Sequence, residues 1–440
     1  MSVLDCAGPI PGLFDSAWPA ECGGPRRQKA PRSPGLDIQP GESLKATLKE
    51  NGRWNVMFVQ REPGQLYLLS GGMFGEQPAP GRVERVDPIT LEVTAASPDL
   101  PSGGHVWCGA VLVHANGDLY VVNGSYMHRL DPDCQLVAER KLPVDRPYNG
   151  LLVMPDGNLV TKDLRISGGG SVVSVLEPEK LEVLSSLELP EPSMGRIAAD
   201  FRGDDVWCYM PGREYLFRLR YKDGAVSIDE DWQPLYRDEE EGQGLAWDTT
   251  LADDNVWLHD NGDTPAVRAI HATTPVGNEI PPSNTAVDFG PQGVMRFGMA
   301  DDYDRDALAP IPHNHGWVIA PPLYVPVDRI LVTFDTGNGC LCALRWKGDG
   351  LYDRMWEAKI HNWMQPMVFP DTGELIVNDF GSADFKAGND AVVVLDLMTG
   401  EEKARVATGA PLPNGMFFAP GWNRDLYYCT AGAVARVAVE

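Results

Sequence analysis

The feature that most constrains the fold is a two-strand phrase that recurs along the chain. Residues 148–163 read YNGLLVMPDGNLVTKD, and residues 414–429 read NGMFFAPGWNRDLYYC. Each phrase runs through an apolar stretch, a turn with Gly, Asp or Pro, and a second apolar stretch, as β-hairpins do. Six further segments share this design, at 54–71, 107–124, 194–210, 243–260, 315–335 and 365–379. The chain therefore repeats one hairpin eight times.

The spacing of the hairpins predicts the architecture. Their lead residues align as Asn55, Cys108, Asn149, Met194, Gln243, His315, Gln365 and Asn414. A period of roughly 40–50 residues with four strands per unit is typical of a β-propeller. Segments 81–101 and 126–143 supply the third and fourth strands, each pair joined by an Asp-Pro turn. The predicted fold is all-β, a single propeller of eight four-stranded blades over residues 42–440.

The two ends of the chain predict how the ring closes. After Cys429 only one more strand remains, so the eighth blade lacks its outer strand. Residues 42–50, ESLKATLKE, alternate in the way a strand does and can fill that place, which protects an otherwise open edge. Residues 1–41, rich in Pro and Gly, are expected to form an N-terminal arm on the surface. The long interval between Gln243 and His315 contains an insertion, 276–314, which we interpret as a lid.

Net charge limits the classes of partner that the chain can bind, and cysteine content indicates its compartment. The chain carries 62 Asp and Glu against 37 Lys and Arg, a net charge of −25. Such a surface repels nucleic-acid backbones and anionic membranes, so we expect neither as a partner and favour a small-molecule substrate. The beginning of the sequence lacks the basic cluster and apolar core of a secretory signal. The eight cysteines form no CxxC pair. A reduced, cytoplasmic protein is the simplest interpretation.

The lead residues define the candidate site, because the inner strands of a propeller all begin at the same end of the ring. Carboxamide oxygens there suit a hard cation such as calcium, or the hydroxyls of a polar ligand. The substrate-binding candidates at and beside the lead positions are Trp107, Tyr148, Gln243, Gln365 and Asn55.

Histidines and acids near the same end supply candidate chemistry. His105, His315 and His361 lie at or near blade starts, and imidazoles from different blades can hold zinc or iron. We therefore count His315 and His105 among the metal candidates. Asp260, Asp335 and Asp379 follow second strands and are candidates for a general base, while His315 or His361 is the acid or a ligand. The sequence has no GxSxG, P-loop or HExxH motif.

The phrases NGLLVMPDGNLVTKD and NGMFFAPGWNRDLYYC resemble the propeller repeats of the gluconolactonase, senescence-marker and strictosidine-synthase group. The resemblance implies an axial calcium, held here by Asn149 and Asn414, and hydrolysis of lactones or related esters. That group has six blades, and in blade number this chain is more similar to the quinoprotein dehydrogenases.

The function predicted from these observations is a small-molecule enzyme with an axial active site, a metal-assisted hydrolase or lyase. For a divalent metal the sequence favours calcium, with zinc or iron as alternatives. One alternative function is a non-haem iron oxygenase with histidine ligands. The other is a non-catalytic propeller that binds a small ligand or a protein, because propellers host many functions.

Overall fold

The structure is a computed structural model of the 440-residue chain. It describes residues 8–73, 80–166, 168–202, 205–237, 246, 248–259, 292–300, 304–311, 317–318, 320–384, 386–410, 412–413 and 417–440. Within these ranges one 3-10 turn occurs, at Glu21–Gly23. No helix of the described residues is long and apolar enough to cross a membrane.

The described strands of the first four blades are β1 Leu44–Gln60, β2 Leu66–Gly71, β3 Arg82–Val86, β4 Val93–Ala96, β5 Cys108–Val113, β6 Leu119–Asn123, β7 Tyr126–Leu130, β8 Leu136–Lys141, β9 Tyr148–Val153, β10 Leu159–Asp163, β11 Val172–Leu176, β12 Val183–Glu188, β13 Ala198–Asp200, β14 Val206–Pro211, β15 Leu216–Lys222 and β16 Ala225–Ile228. Those of the last four are β17 Thr249–Ala252, β18 Asn255–His259, β19 Gln292–Gly298, β20 Arg305–Ile311, β21 Leu323–Val325, β22 Ile330–Asp335, β23 Cys340–Gly348, β24 Leu351–Ala358, β25 Met367–Phe369, β26 Glu374–Asp379, β27 Ala391–Asp396, β28 Glu402–Ala407, β29 Phe418–Pro420, β30 Asp425–Cys429 and β31 Ala431–Val439.

These strands form the predicted eight-bladed propeller. Six sheets are antiparallel and four-stranded, and each consists of four consecutive strands from β5 to β28. The seventh sheet has the order β29-β30-β31-β1-β2-β3-β4 and contains two blades joined through β1. In the second blade the inner strands β5 and β6 are buried throughout, while the outer strand β8 is mostly exposed. The pattern agrees with apolar sheets stacked face to face around an axis.

Strand β1 closes the ring. Its first part, Leu44 to Glu50, pairs antiparallel with β31, from Val439 back to Ala433. Its second part, Trp54 to Gln60, pairs with β2 as the inner strand of the first blade. Gly52, in the left-handed region at φ 66°, lies between the two parts, where the register shifts. The predicted closure by residues 42–50 is therefore confirmed.

A tyrosine on the second strand joins neighbouring blades. The hydroxyl of Tyr67 donates to the carbonyl of Pro132 at 2.8 Å, and that of Tyr120 donates to the carbonyl of Pro178 at 2.9 Å. Each bond reaches the proline turn between the third and fourth strands of the next blade. The same bond crosses the closure, from Tyr427 to Pro88 at 3.1 Å. A buried hydroxyl needs a partner, so this repeat fixes the stacking of blades as well as satisfying the tyrosine.

Within residues 8–41 the N-terminal arm is largely buried against the ring, contrary to our expectation of a surface segment. Trp18, Leu36 and Ile38 are buried, and the backbone of the arm passes across the inner strands. Inner strands of five blades donate an N–H to arm carbonyls: Gln60 to Trp18, Val113 to Pro19, Ala199 to Pro25, Leu251 to Arg26 and Val368 to Lys29. These donors belong to the first, second, fourth, fifth and seventh blades, in the same order as their partners. The arm thus circles the axis at the end where the inner strands finish, which we call the lower mouth.

The interval interpreted as a lid, 276–314, is not all insertion. Gln292–Gly298 and Arg305–Ile311 are the third and fourth strands of the fifth blade, in the order β17-β18-β19-β20. These two stretches therefore belong to the blade and not to a lid. Residues 276–291, 301–303 and 312–314 lie outside the described residues.

Candidate functional site on the propeller axis

The lead residues that the structure describes lie at the opposite end of the ring, the upper mouth, and some of them bond one blade to the next. The indole Nε1 of Trp107 donates to Asn149 Oδ1 at 3.1 Å, and Asn149 Nδ2 donates to the carbonyl of Met194 at 3.0 Å. This chain of two bonds crosses from the second blade to the fourth. Asn149 is fully buried, and both ends of its amide are used. The oxygen and the nitrogen of its carboxamide therefore both form hydrogen bonds between blades.

Asn55 has a similar position between the first and eighth blades. Its Nδ2 donates to the carbonyls of Thr430 and Ala433, at 3.0 and 2.9 Å. Tyr148 accepts a hydrogen bond at its hydroxyl from the backbone N–H of Val144. Three predicted lead residues, Gln243, His315 and Asn414, lie outside the described residues.

Below the upper mouth, five charged side chains meet in a group that we call the axial cluster: Glu21, Arg27, Lys29, Arg196 and Asp248. Arg27 Nη2 lies 2.6 Å from Glu21 Oε1 and 2.9 Å from Asp248 Oδ2. Arg196 Nε lies 3.0 Å from the same Glu21 oxygen, and its backbone N–H donates to Asp248 Oδ1 at 2.7 Å. The four paired side chains are at most 5% exposed, and Lys29 is 2% exposed.

The cluster joins the arm to blades on several sides of the ring, which places it on the axis. Glu21, Arg27 and Lys29 come from the arm, while Arg196 and Asp248 precede the inner strands β13 and β17. From the seventh blade, Gln365 Oε1 accepts from Cys22 Sγ at 3.0 Å, and its Nε2 donates to Asp248 at 3.4 Å. The predicted substrate-binding residue Gln365 therefore contacts the cluster directly.

Aromatic rings cover the guanidinium of Arg196. Its Cζ lies 5.7 Å from the centroid of Trp107 and 5.5 Å from that of Phe417, residues that precede inner strands of the second and eighth blades. Cation–π contacts of this kind strengthen when water is excluded. The predicted residue Trp107 thus contributes to the site through its ring face, while its N–H bonds Asn149.

The charged state of the cluster follows from burial and from its pairs. Burial alone would raise the pKa of Asp248, but Arg27 and then Arg196 hold it below its usual value. Burial lowers the pKa of Lys29 to about 8, although Nζ donates to Thr250 Oγ1 at 2.7 Å and to the carbonyl of Pro322 at 2.9 Å. Burial raises the pKa of the Cys22 thiol to about 12, so this cysteine is a neutral hydrogen-bond donor. With Lys29 protonated, three cations face two carboxylates.

The sequence did not single out Arg196 or Asp248. Arg196 stands two residues after the lead position Met194, and Asp248 five after Gln243, each directly before an apolar inner strand. A charged residue at the start of a fully buried strand is a signal that could have found both. Glu21 and Arg27 could not be found in this way, because nothing local shows that the arm enters the ring.

The two predicted acids that the structure describes accept hydrogen bonds from backbone amides, one of them the amide of His361. Asp335 Oδ1 accepts from the N–H groups of Trp317 and Asn338, both at 3.1 Å. Asp379 Oδ1 accepts from the N–H of His361 at 3.1 Å, and Oδ2 lies 2.8 Å from Arg405. Both carboxylates tie the end of a second strand to the segment that precedes the inner strand. Asp260 lies outside the described residues.

The two described histidines near the upper mouth, His105 and His361, have separate polar partners in different blades. His105 precedes the second blade and lies 3.6 Å from Asp145, and burial lowers its pKa. His361 precedes the seventh blade, and its Nδ1 lies 2.9 Å from the carbonyl of Thr336. Within the described ranges, no three His, Cys, Asp or Glu side chains group closely enough to hold a metal ion.

No family model matches this chain, and no curated protein does. Solved structures do resemble it. A europium-containing methanol dehydrogenase is 11% identical with a TM-score of 0.64, over 97% of this chain and 98% of that one. The quinohemoprotein alcohol dehydrogenase ADHIIG of Pseudomonas putida HK5 is 10% identical with a TM-score of 0.61, over 98% and 82%. BamB from Moraxella catarrhalis is 13% identical with a TM-score of 0.52, over 89% and 98%. At these identities the likeness establishes the propeller fold alone.

Proposed function

We propose that this protein is an enzyme of the hydrolase or lyase class that acts on a small organic anion above the axial cluster. The observation that carries the proposal is the buried guanidinium of Arg196, held between the rings of Trp107 and Phe417 at the centre of the ring. The positive charge of a buried arginine favours a carboxylate, and this guanidinium already faces the carboxylates of Glu21 and Asp248 through Nε and Nη1.

The arrangement of charge supports a functional role. Several buried ionic groups cost more stability than apolar residues of the same size would, so a cluster of them on the axis calls for a reason beyond folding. Clusters of this kind, with shifted pKa values, occur most often at functional sites. The arm closes the lower mouth with the backbone bonds described above, so the substrate would enter from the upper mouth. The excess of positive charge favours an anion there.

The described axial residues do not fit a divalent cation. The carboxylates of Glu21 and Asp248 are already paired with Arg27 and Arg196, and the oxygen of Asn149 already accepts from Trp107. Two fixed positive charges oppose a third at short range. The proposal therefore assigns no step to calcium, zinc or iron. Elemental analysis of the purified protein tests this part directly, and a stoichiometric metal would contradict it.

The test of function pairs two arginines that have matching surroundings. Arg218 is also buried, also ion-paired, to Asp229, and also lies against two rings, Trp207 and Trp232, at 4.6 and 5.5 Å. It belongs to β15, the third strand of the fourth blade, and has no place in the axial cluster. Arg218→Lys is therefore the control for Arg196→Lys.

The assay is a panel of small esters, lactones and hydroxy acids, each tested with and without a carboxylate, and followed by acid release or double-bond absorbance. For a carboxylate substrate we expect Arg196→Lys to lower kcat/KM by roughly 10- to 100-fold, since a hydrogen bond to a charged group is worth about 1.5–3 kcal/mol. Arg218→Lys should keep the activity. Equal losses in both variants would contradict the proposal, and saturable binding without turnover of any compound would favour a binding protein instead.

A further inference from the structure

Lys162 is a buried amine beside the axial cluster. It lies on β10, the second strand of the third blade, and its side chain is fully buried. Nζ donates to the carbonyl of Ser193 at 2.8 Å and to that of Asp163 at 3.3 Å. No ion pair joins it to a carboxylate among the described residues. A lysine buried without a carboxylate partner pays a large desolvation cost in its charged form.

The surroundings of Lys162 favour the neutral amine. Burial lowers its pKa to about 7; the nearby charges are Asp163 and Asp248, which oppose the shift, and Arg196, which adds to it. At pH 7 about half of such a group is the free amine, against roughly one part in 10³ for an ordinary lysine. An amine in this form is a nucleophile.

The position of Lys162 relates it to the proposed anion site. The carbonyl to which Nζ donates belongs to Ser193, three residues before Arg196 in the same segment. The amine and the guanidinium are therefore held by one short stretch of chain, at the place where the fourth blade begins. Asp248, which pairs with Arg196, also interacts electrostatically with Lys162.

We propose that the Nζ of Lys162 is the nucleophile of the axial site and forms an imine with a small carbonyl acid, such as an aldehyde acid or a 2-oxo acid. This inference rests on the proposed function and narrows it to lyase chemistry. Nζ attacks the carbonyl carbon, its two N–H protons pass to the carbonyl oxygen, and that oxygen leaves as water, which gives a neutral imine. A proton from the solvent converts this to the iminium. In a hydroxylated 2-oxo acid the iminium accepts the electron pair of the C–C bond next to it, the fragment beyond that bond leaves as an aldehyde, its hydroxyl proton passes to solvent, and Arg196 holds the carboxylate during the step.

The experiment traps the imine on the intact protein. Glyoxylate, an anionic aldehyde, and glycolaldehyde, an uncharged one of similar size, are each incubated with the protein at pH 7 and sodium cyanoborohydride. Peptide mapping by mass spectrometry then locates the modified lysines. We expect Lys162 to be labelled before the exposed lysines, and glyoxylate to label it at least 10-fold faster than glycolaldehyde. Lys29, which is also buried but belongs to the arm, is the internal comparator.

Two variants separate the chemical role from a structural one. Lys162→Gln keeps an uncharged N–H donor for a carbonyl, and should keep most of the stability while the label disappears. Lys162→Met loses the donors, and should lose both the label and stability. If exposed lysines or Lys29 react before Lys162 does, or if Lys162 stays unlabelled, the nucleophile assignment is overturned.

The two aldehydes also separate this inference from the function on which it rests. Equal labelling of Lys162 by both would uphold the nucleophile and contradict an anion site. A carboxylate preference in the enzyme panel that Arg196→Lys abolishes, with no label at Lys162, would uphold the anion site and reject imine chemistry.

Discussion

Replacing Arg27 by Met is the perturbation whose consequence the structure specifies most fully. Arg27 joins Glu21 and Asp248 at 2.6 and 2.9 Å, and all three side chains are at most 5% exposed. The change removes the shared cation and leaves Arg196 as the remaining arginine that pairs with both carboxylates. Breaking a buried ion pair in this way costs about 3–5 kcal/mol, because the remaining charge is uncompensated.

The same variant should have a distinct pH dependence. Arg27 is the largest of the charges that hold the pKa of Asp248 down. Without it, burial raises that pKa, so in the variant the folded state takes up a proton at a pH where the unfolded state does not. A raised folded pKa means that stability is lost as pH rises, and is recovered as pH falls. The difference between wild type and Arg27→Met should therefore shrink between pH 7 and pH 4.

The measurement is urea unfolding followed by tryptophan fluorescence, at pH 7 and at steps down to pH 4. Lys45→Met is the control, because Lys45 pairs with Glu440 at the same 2.6 Å but both side chains are more than half exposed. It should cost about 1 kcal/mol or less. Adding Asp248→Asn to Arg27→Met should cost less than the two separate losses together. A loss for Arg27→Met as small as that of the control, or a loss that grows as pH falls, would refute the reasoning.

Two further predictions concern ring closure and a buried acid. Deleting residues 1–38 should lower the free energy of unfolding but keep a single transition in urea. Deleting residues 1–50 also removes the partner of β31 and should abolish cooperative unfolding, because a long strand edge is exposed. Identical unfolding curves for the two truncations would show that the closing strand is dispensable. Burial raises the pKa of Asp390 to about 7, and its Oδ2 accepts from Tyr428 at 2.6 Å. The folded state thus holds a proton that the unfolded state has lost, so stability should fall as pH rises from about 4 to about 7, by roughly 3–4 kcal/mol. Asp390→Asn should remove that slope, and an unchanged slope in the variant would assign it to other groups.

The blades could be predicted because their signals are local. Apolar hairpins with turn residues specify strands by side-chain alternation and backbone preference alone. The Asp-Pro turns are equally local, since Asp87 Oδ1 accepts from the N–H groups of Ile89 and Thr90 within the same turn. The alternation of residues 42–50 and the missing strand after Cys429 likewise predicted the closure that β1 and β31 form.

The positions of some candidate residues could be predicted from the fold, but their contacts could not, for a physical reason. Propeller geometry placed Asn149, Trp107 and Gln365 near the axis, and they are there. What each side chain does was decided by its neighbours in space: Asn149 bonds Trp107 and Met194, and Asp335 and Asp379 accept backbone amides. The same residue type can make several kinds of contact, and the local sequence does not show which contact forms in the folded protein.

The arm was decided only by tertiary structure. Its composition of Pro, Gly and charge is that of a solvated segment, and Arg27, Lys29 and Glu21 would each favour water in isolation. They are buried because inner strands around the ring present free N–H groups to the arm backbone, while Arg196 and Asp248 offer opposite charge. Those partners come from blades far apart in sequence and exist together only once the ring has formed. Local sequence therefore determined the blades, and the closed ring determined what fills its centre.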